Sequence, residues 1–271
     1  MKKKMYGAAA VLLCVTVIGG CGKKATPQNL LADMAKNAAK TESVSGSIML
    51  DMGMGTELGT VGMKLDMDME SMKKPEAMHM QGKLGFNYTG VDMSLDLEMY
   101  ELKEDGQYVV YASSNGVWTK EASEEDEISF QAGAFNDLDD MADSFTLSEE
   151  KTEVEGKECF ELKGEFKGED LGDLIDPSML GELGAGEGIS EDMFDDVTIP
   201  CTLEIYSKTI LPARITMDMS DALKDLGDET ASIERISVSM TFKEYDKVKE
   251  IKLPEEAKNA QSISDDEMPE E

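Results

Sequence analysis

The chain has 271 residues, a formal net charge of −31 and a sequence pI of about 4.3, with 57 acidic residues against 26 lysines and arginines. So acidic a surface excludes nucleic acid as a partner, because phosphate binding needs basic residues, and it excludes a direct electrostatic dock on anionic lipid. The length suits one large all-β domain as well as two smaller ones, and His79 is the only histidine from which a histidine-based catalytic site could be built.

Lys2, Lys3 and Lys4 precede an apolar run from Ala8 to Ile18, which leads through Gly19 and Gly20 to Cys21. This is the order of a secretory signal: the run is too short for a permanent membrane span, and small residues stand where processing occurs. The segment resembles a bacterial lipoprotein lipobox. That resemblance implies that residues 1–20 are removed, that Cys21 carries acyl chains such as palmitate, and that residues 21–26 form a lipidated tether. The partner so implied is the cell membrane, with the protein held on its extracytoplasmic side. Two or more acyl chains give a stable anchor where one does not.

Thr26-Pro27 reads as an N-cap followed by proline at the first helical position. Leu30, Leu31, Met34, Ala35 and Ala38 then recur at helical spacing, predicting an amphipathic helix to about Lys40. From Gly46 to Tyr100 the period changes to two. Ile48, Leu50, Met52 and Met54 share one parity, and so do Met63, Leu65, Met67 and Met69 in the next run. Met78, Met80, Leu84 and Phe86 follow, then Val91, Met93, Leu95, Leu97 and Met99, with mostly charged or polar residues at the positions between. These are four antiparallel strands with one dry and one wet face, broken at residues 53–59, 71–75 and 87–90.

A hairpin turning at Asn115-Gly116 comes next, with its strands at Gln107 to Ser113 and Val117 to Lys120. A charged loop and a short helix near residues 136–142 lead to a strand region at 146–154, which returns at 158–166. Residues 168–196 are acidic and glycine-rich but carry Leu171, Leu174, Ile175, Met179, Leu180 and Leu183, and they read as a mobile flap. Two more strands at 198–206 and 211–219 place Met217 and Met219 on an apolar parity. A short helix at Asp221 to Leu226 precedes a last strand bearing Ile236, Val238, Met240 and Phe242. Residues 27–254 thus form the folded domain, and 255–271 read as a disordered acidic tail.

Apart from Cys14 in the signal and Cys21, only Cys159 and Cys201 remain. An exported pair favours a disulfide. Strand parity opposes one, because Cys159 alternates out of step with Phe160 and Leu162 whereas Cys201 keeps step with Leu203 and Ile205. Both states stay open at this level.

Several local features are shared with one known group. They are the helix after the lipidated cysteine, the Tyr108 to Trp118 hairpin, Gly156-Lys157-Glu158-Cys159-Phe160, Ser207-Lys208-Thr209-Ile210-Leu211-Pro212 before a long strand, and the Ile251-Lys252-Leu253-Pro254 ending. The chain resembles Gram-positive surface lipoproteins with the half-barrel fold of the lipoprotein carrier LolA and its mycobacterial relatives. The resemblance implies a mainly β, α+β fold: a strongly curved antiparallel half-barrel with the N-terminal helix and short helices on its concave face. It also implies an apolar cavity and brings no catalytic motif.

The expected ligand wall is the methionine-rich parity: Met52, Met54, Met63, Leu65, Met67, Met69, Met78, Met80, Leu84, Phe86, Met93, Leu95, Leu97, Met99, Met217, Met219 and Met240. Methionine adapts to irregular shapes, which suits either a soft filled core or a wall for acyl chains. No cofactor and no metal is expected. Met78, His79 and Met80 offer soft ligands, but in a strand His79 points away from the two thioethers. Asp137, Asp139 and Asp140 lack the spacing of a calcium loop, and nothing places a nucleophile beside His79, so no enzyme is expected. The expected function is a membrane-anchored lipoprotein binding or carrying a hydrophobic, lipid-like ligand. The alternative is an interaction or sensor module with a filled core that meets an unknown protein partner through its acidic surface or flap.

Overall fold

The computed structural model describes residues 24–56, 59–104, 106–123, 141–167, 197–223 and 231–262. The chain opens with helix α1 (Pro27–Ala38), whose N-cap Thr26 accepts a hydrogen bond from the Asn29 backbone N–H. It proceeds through β1 (Ser43–Thr56), β2 (Gly59–Lys73), β3 (Glu76–Tyr88), β4 (Val91–Glu104), β5 (Gln107–Ser114) and β6 (Val117–Ser123). A 3-10 turn at Ala142–Ser144 then leads to β7 (Thr146–Leu147), β8 (Thr152–Val154), β9 (Lys157–Lys167), β10 (Thr198–Tyr206) and β11 (Pro212–Asp218). Helix α2 (Ser220–Leu223), β12 (Ala231–Tyr245), a second 3-10 turn at Ala257–Asn259 and β13 (Gln261–Ser262) complete it.

All the strands belong to one large, curved, open sheet in the order β13-β6-β5-β4-β3-β2-β1-β12-β11-β10-β9-β7, with β8 also on β9. Every pairing is antiparallel except that of β13 with β6. The fold is therefore mainly β, as the alternating parity predicts. Two meanders, β1–β6 and β9–β12, are joined where β1 pairs with β12, so the first long strand lies beside the last. Register shifts opposite Ser45/Gly46 and Gly53/Met54, where Lys243 and Glu234 are extra residues in β12, and opposite Glu204/Ile205, where Ala213 is extra in β11, add local twist and help the sheet curve. Gly82 serves the same curvature, since a Cβ there would lie 1.9 Å from the Asp66 carbonyl oxygen.

The two faces of the sheet differ in chemistry. Leu50, Met52, Met63, Met67, Met69, Ile236, Val238, Leu203 and Leu162 are buried on the inner face, in one cluster with Leu30, Leu31, Met34 and Ala38 of α1. The helix is fastened over the β9–β11 half: Gln28 Nε2 donates to Asp143 Oδ1 at 3.1 Å, and Asn37 Nδ2 donates to the Thr209 carbonyl at 3.1 Å. The outer face of β1–β4 carries charged cross-strand pairs such as Lys83–Asp96 at 2.6 Å and Arg235–Asp51 at 2.6 Å. Such exposed pairs contribute about 0–1 kcal/mol each and serve solubility more than stability.

The chain end departs from expectation. Residues 255–262, read from sequence as part of a disordered tail, fold onto the outer face of β4–β6, and β13 pairs with β6 through Thr119 and Lys120. Ala257 is fully buried against Tyr100 and Tyr111, and Ile251, Leu253 and Trp118 pack around them. The strand region expected at 146–154 is two short strands, both pairing with β9. The predicted signal, Cys21, the flap at 168–196, most of the helix near 136–142, residues 224–226 of the predicted 221–226 helix and residues 263–271 lie outside the described residues.

Candidate ligand-binding face

Cross-strand register shows how the expected wall is assembled. Met52 stands opposite Met63, Met63 opposite Phe86 and Phe86 opposite Met93, so one row crosses β1 to β4 on the inner face. Leu65, Leu84 and Leu95 form the next row toward the opposite end of β3. Met67 and Leu97 flank Gly82, and Met69, Met80 and Met99 face one another directly. Met78 lies opposite Glu101. Met240 pairs with Ile48 and Ile215, and Met217 pairs with Val238 and Cys201, which brings the second meander onto the same face.

Burial divides this wall into two parts. Met52, Met63, Met67, Met69, Met78, Met80, Leu84, Met217 and Met219 are buried and packed together. Met54, Leu65, Phe86, Leu95, Leu97, Met99 and Met240 are half-buried, and Met93 is 58% exposed. The packing therefore loosens toward β4. Among the described residues, four of the five large apolar side chains that are well exposed lie on the inner face at that end: Tyr88 (40%), Val91 (60%), Met93 (58%) and Val117 (71%). Val117 belongs there because it pairs with Ser114, which pairs with Leu97. Apolar groups aligned in this way offer area to a ligand at about 25 cal/mol per Å².

The outer face of the same wing holds a different cluster. His79 stacks on Tyr100 with ring centroids 4.2 Å apart, and Tyr100 lies 6.0 Å from Trp118. His79 Nε2 and the Tyr100 hydroxyl both meet Glu98 Oε1, at 3.0 and 2.9 Å. Burial, followed by the hydrogen bond to the Glu98 carboxylate, raises the Tyr100 phenol well above its ordinary range. Met78 and Met80 face inward, so the Met78-His79-Met80 triplet does not converge on one ion. Sequence reasoning missed this outer cluster, because Ile251, Leu253 and Ala257 cover it from a stretch with no apolar period.

Cys159 and Cys201 are free, buried thiols. Cys159 lies opposite Tyr206 and Cys201 opposite Gly164, so they are five residues apart along β10 and point to opposite faces. At roughly 3.3 Å per residue this exceeds the reach of a disulfide, and the bridge favoured by export is absent. Burial pushes the Cys159 thiol up to about 11 and the Cys201 thiol up to about 12. A buried carboxylate lies nearby on the outer face: Glu204 accepts from Nε of the partly exposed Arg214 and, at 2.8 Å, from the Thr152 hydroxyl. Among the described residues no cluster of histidine, cysteine and carboxylate side chains could hold a metal, and no helix is long and apolar enough to cross a membrane.

The model of a family of unknown function, DUF6612, matches residues 26–262. No curated protein matches the chain. The crystal structure of LprF from Mycobacterium bovis is similar at 13% identity and a TM-score of 0.47, covering 84% of this chain and 96% of that one. A DUF1329 family protein from Desulfovibrio piger is similar at 10% identity and a TM-score of 0.22, covering 80% of this chain and 92% of that one.

Proposed function

The chain belongs to DUF6612, a family of unknown function, and from that starting point we propose that it binds a hydrophobic, lipid-like molecule against the inner face of β3–β6. The observation that carries this reading is the clustering of exposed Tyr88, Val91, Met93 and Val117 on one side of the sheet, next to a deeper wall of thioethers. An acyl chain that buries on the order of 300 Å² gains about 7 kcal/mol at roughly 25 cal/mol per Å². Association removes at least about 4 kcal/mol of that. One chain is therefore held weakly and a two-chain lipid usefully.

The anchor belongs to the same reading. Cys21, with its preceding small residues and apolar run, is proposed as the lipidated residue that holds the domain on the extracytoplasmic side of the membrane. On this reading residues 21–26 are the tether, and the domain they carry takes in the elements from Pro27 to Ser262. The ligand face carries no catalytic role in this account. Transfer of a fluorescent acyl probe from vesicles to the protein tests the binding. A saturable rise in emission is expected, and no transfer with any lipid class contradicts it. Cys21→Ser is expected to release the protein from the membrane fraction, and full retention would refute the anchor.

A second reading is favoured by one observation: nine of the seventeen wall residues are already packed in the core, each with less than a tenth of its surface exposed. On that reading the domain is an interaction module with a filled interior, meeting a protein through its acidic surface. The same transfer experiment separates the two.

A further inference from the structure

Register distinguishes the two rims of the sheet. One rim holds the end of β9, where Lys167 faces Thr198, together with the β1–β2 turn and the β3–β4 and β5–β6 turns that follow Tyr88 and Ser114. Helix α1 starts on that side. Gln28 in its first turn donates to Asp143, and the neighbouring Ser144 carbonyl lies over Gly164 in the later half of β9. Its far end is held at the opposite rim, where Asn37 donates to the Thr209 carbonyl and Lys73 Nζ donates to the Ala39 carbonyl at 3.1 Å.

The start of the helix is close to the lipidated cysteine proposed above. Ala25 packs against the core, and Asn29 Nδ2 donates to the Lys24 carbonyl at 3.1 Å. Cys21 is four residues before Ala25. At about 3.5 Å per residue that stretch reaches at most about 14 Å, whatever its conformation. An acylated Cys21 therefore holds the first rim against the bilayer, and the opposite rim stands off by the length of the 12-residue α1, about 18 Å. The rim held close is the one that exposes apolar groups. Tyr88 and Val91 flank the β3–β4 turn and Val117 opens β6. The opposite rim instead presents exposed Lys74, Lys208, Asp246 and Lys247.

We propose that the rim formed by the β3–β4 and β5–β6 turns docks on the membrane that holds Cys21, with Tyr88, Val91 and Val117 entering the headgroup region. The partner is the lipid bilayer, met through apolar side chains and an interfacial tyrosine and not through charge. The proposal rests on the anchor reading above and adds an orientation to it. The open apolar end of the inner face then faces lipid, so a lipid-like ligand passes between bilayer and protein without crossing water.

The test uses the acylated chain recovered from membranes and placed in phosphatidylcholine vesicles whose lipids carry a quencher just below the headgroups. An environment-sensitive fluorophore is attached to Thr89→Cys in the β3–β4 turn, or to Lys208→Cys at the opposite rim. Cys159 and Cys201 are buried and stay unlabelled. The Thr89 label should shift to the blue and lose most of its emission in proportion to the share of quencher in the bilayer, while the Lys208 label keeps its aqueous emission. Val117→Cys reports the same rim if Thr89→Cys does not fold. Val91→Asp, at an exposed position, should return the label at this rim toward aqueous emission while the protein still floats with the vesicles; unchanged quenching in that variant overturns the proposal. So does an aqueous label at this rim on unsubstituted protein that floats, which leaves the anchor standing. A label that shifts without being quenched means that a second copy or another protein covers the rim, and quenching complete at a single lipid per chain means that only the ligand face is loaded; either result overturns the docking. Protein that does not float refutes the anchor and the orientation with it.

Discussion

Phe86 and Met93 are directly opposed on the inner face of β3 and β4, yet Phe86 is half-buried and Met93 is 58% exposed. The boundary between packed interior and open apolar surface therefore falls between these two side chains. Met93→Asp places a charge on the open side of that boundary. Because the residue is exposed, stability should change by no more than about 0.5 kcal/mol. Uptake of an acyl probe should fall several-fold. Undiminished uptake in a folded Met93→Asp variant would move the binding face elsewhere.

Curvature depends on Gly82, which sits between Met67 and Leu97 in the adjoining row. Gly82→Ala forces a Cβ against the backbone carbonyl of Asp66, an atom that cannot swing aside as a side chain would. A loss of about 1–3 kcal/mol or more is expected by urea denaturation. Gly85→Ala is the control. A Cβ there would meet nothing closer than 3.7 Å, and only the smaller effect of a β-strand substitution should follow.

The buried thiols set a pH dependence. Unfolded cysteines ionise near pH 8.5, whereas burial holds Cys159 up to about 11 and Cys201 up to about 12. Between those limits the folded state keeps protons that the unfolded state has released, so stability falls as pH rises from about 9 toward 12. Each thiol adds a slope of at most about 1.4 kcal/mol per pH unit. Equilibrium unfolding at pH 7 and pH 10 should show the decline, and Cys201→Ala should flatten it. In the native state at pH 7 both thiols should resist a thiol reagent until the chain is unfolded.

The C-terminal strap is structural on this account. Ala257 is fully buried against Tyr100 and Tyr111, so Ala257→Asp puts an unpaired carboxylate among aromatic rings. A cost of about 2–4 kcal/mol is expected. Trp118, the single tryptophan, packs against the same cluster and reports the change through its emission. Unaltered melting and emission would show that the segment beyond Pro254 contributes nothing to the fold.

The long strands were legible because inner and outer residues alternate along each of the four runs between Ile48 and Met99, and a period of two permits only one partition of the faces within a strand. The same parity opposes a Cys159–Cys201 bridge, but export favours one, and only the position of Cys159 opposite Tyr206 and of Cys201 opposite Gly164 decides between them. What could not be read was the order in which the meanders join. The β1–β12 pairing links residues almost two hundred positions apart, and Ile48 carries no mark of Met240 as its neighbour. The strap was also hidden, since Ile251, Leu253 and Ala257 pack singly on aromatic rings and leave no periodic trace. Along the candidate ligand wall, parity assigned the face but not the depth. Met63 and Met93 look alike in sequence, and only the fold buries the first and exposes the second.

The central claim is that the exposed apolar end of the inner face receives a hydrophobic molecule. Native mass spectrometry of the full chain, recovered under gentle conditions and then offered two-chain lipids of several classes, tests it most directly. The account predicts a mass adduct of one lipid per chain that is lost in Met93→Asp. Bare protein, with no adduct on recovery and none after any lipid is offered, would contradict it.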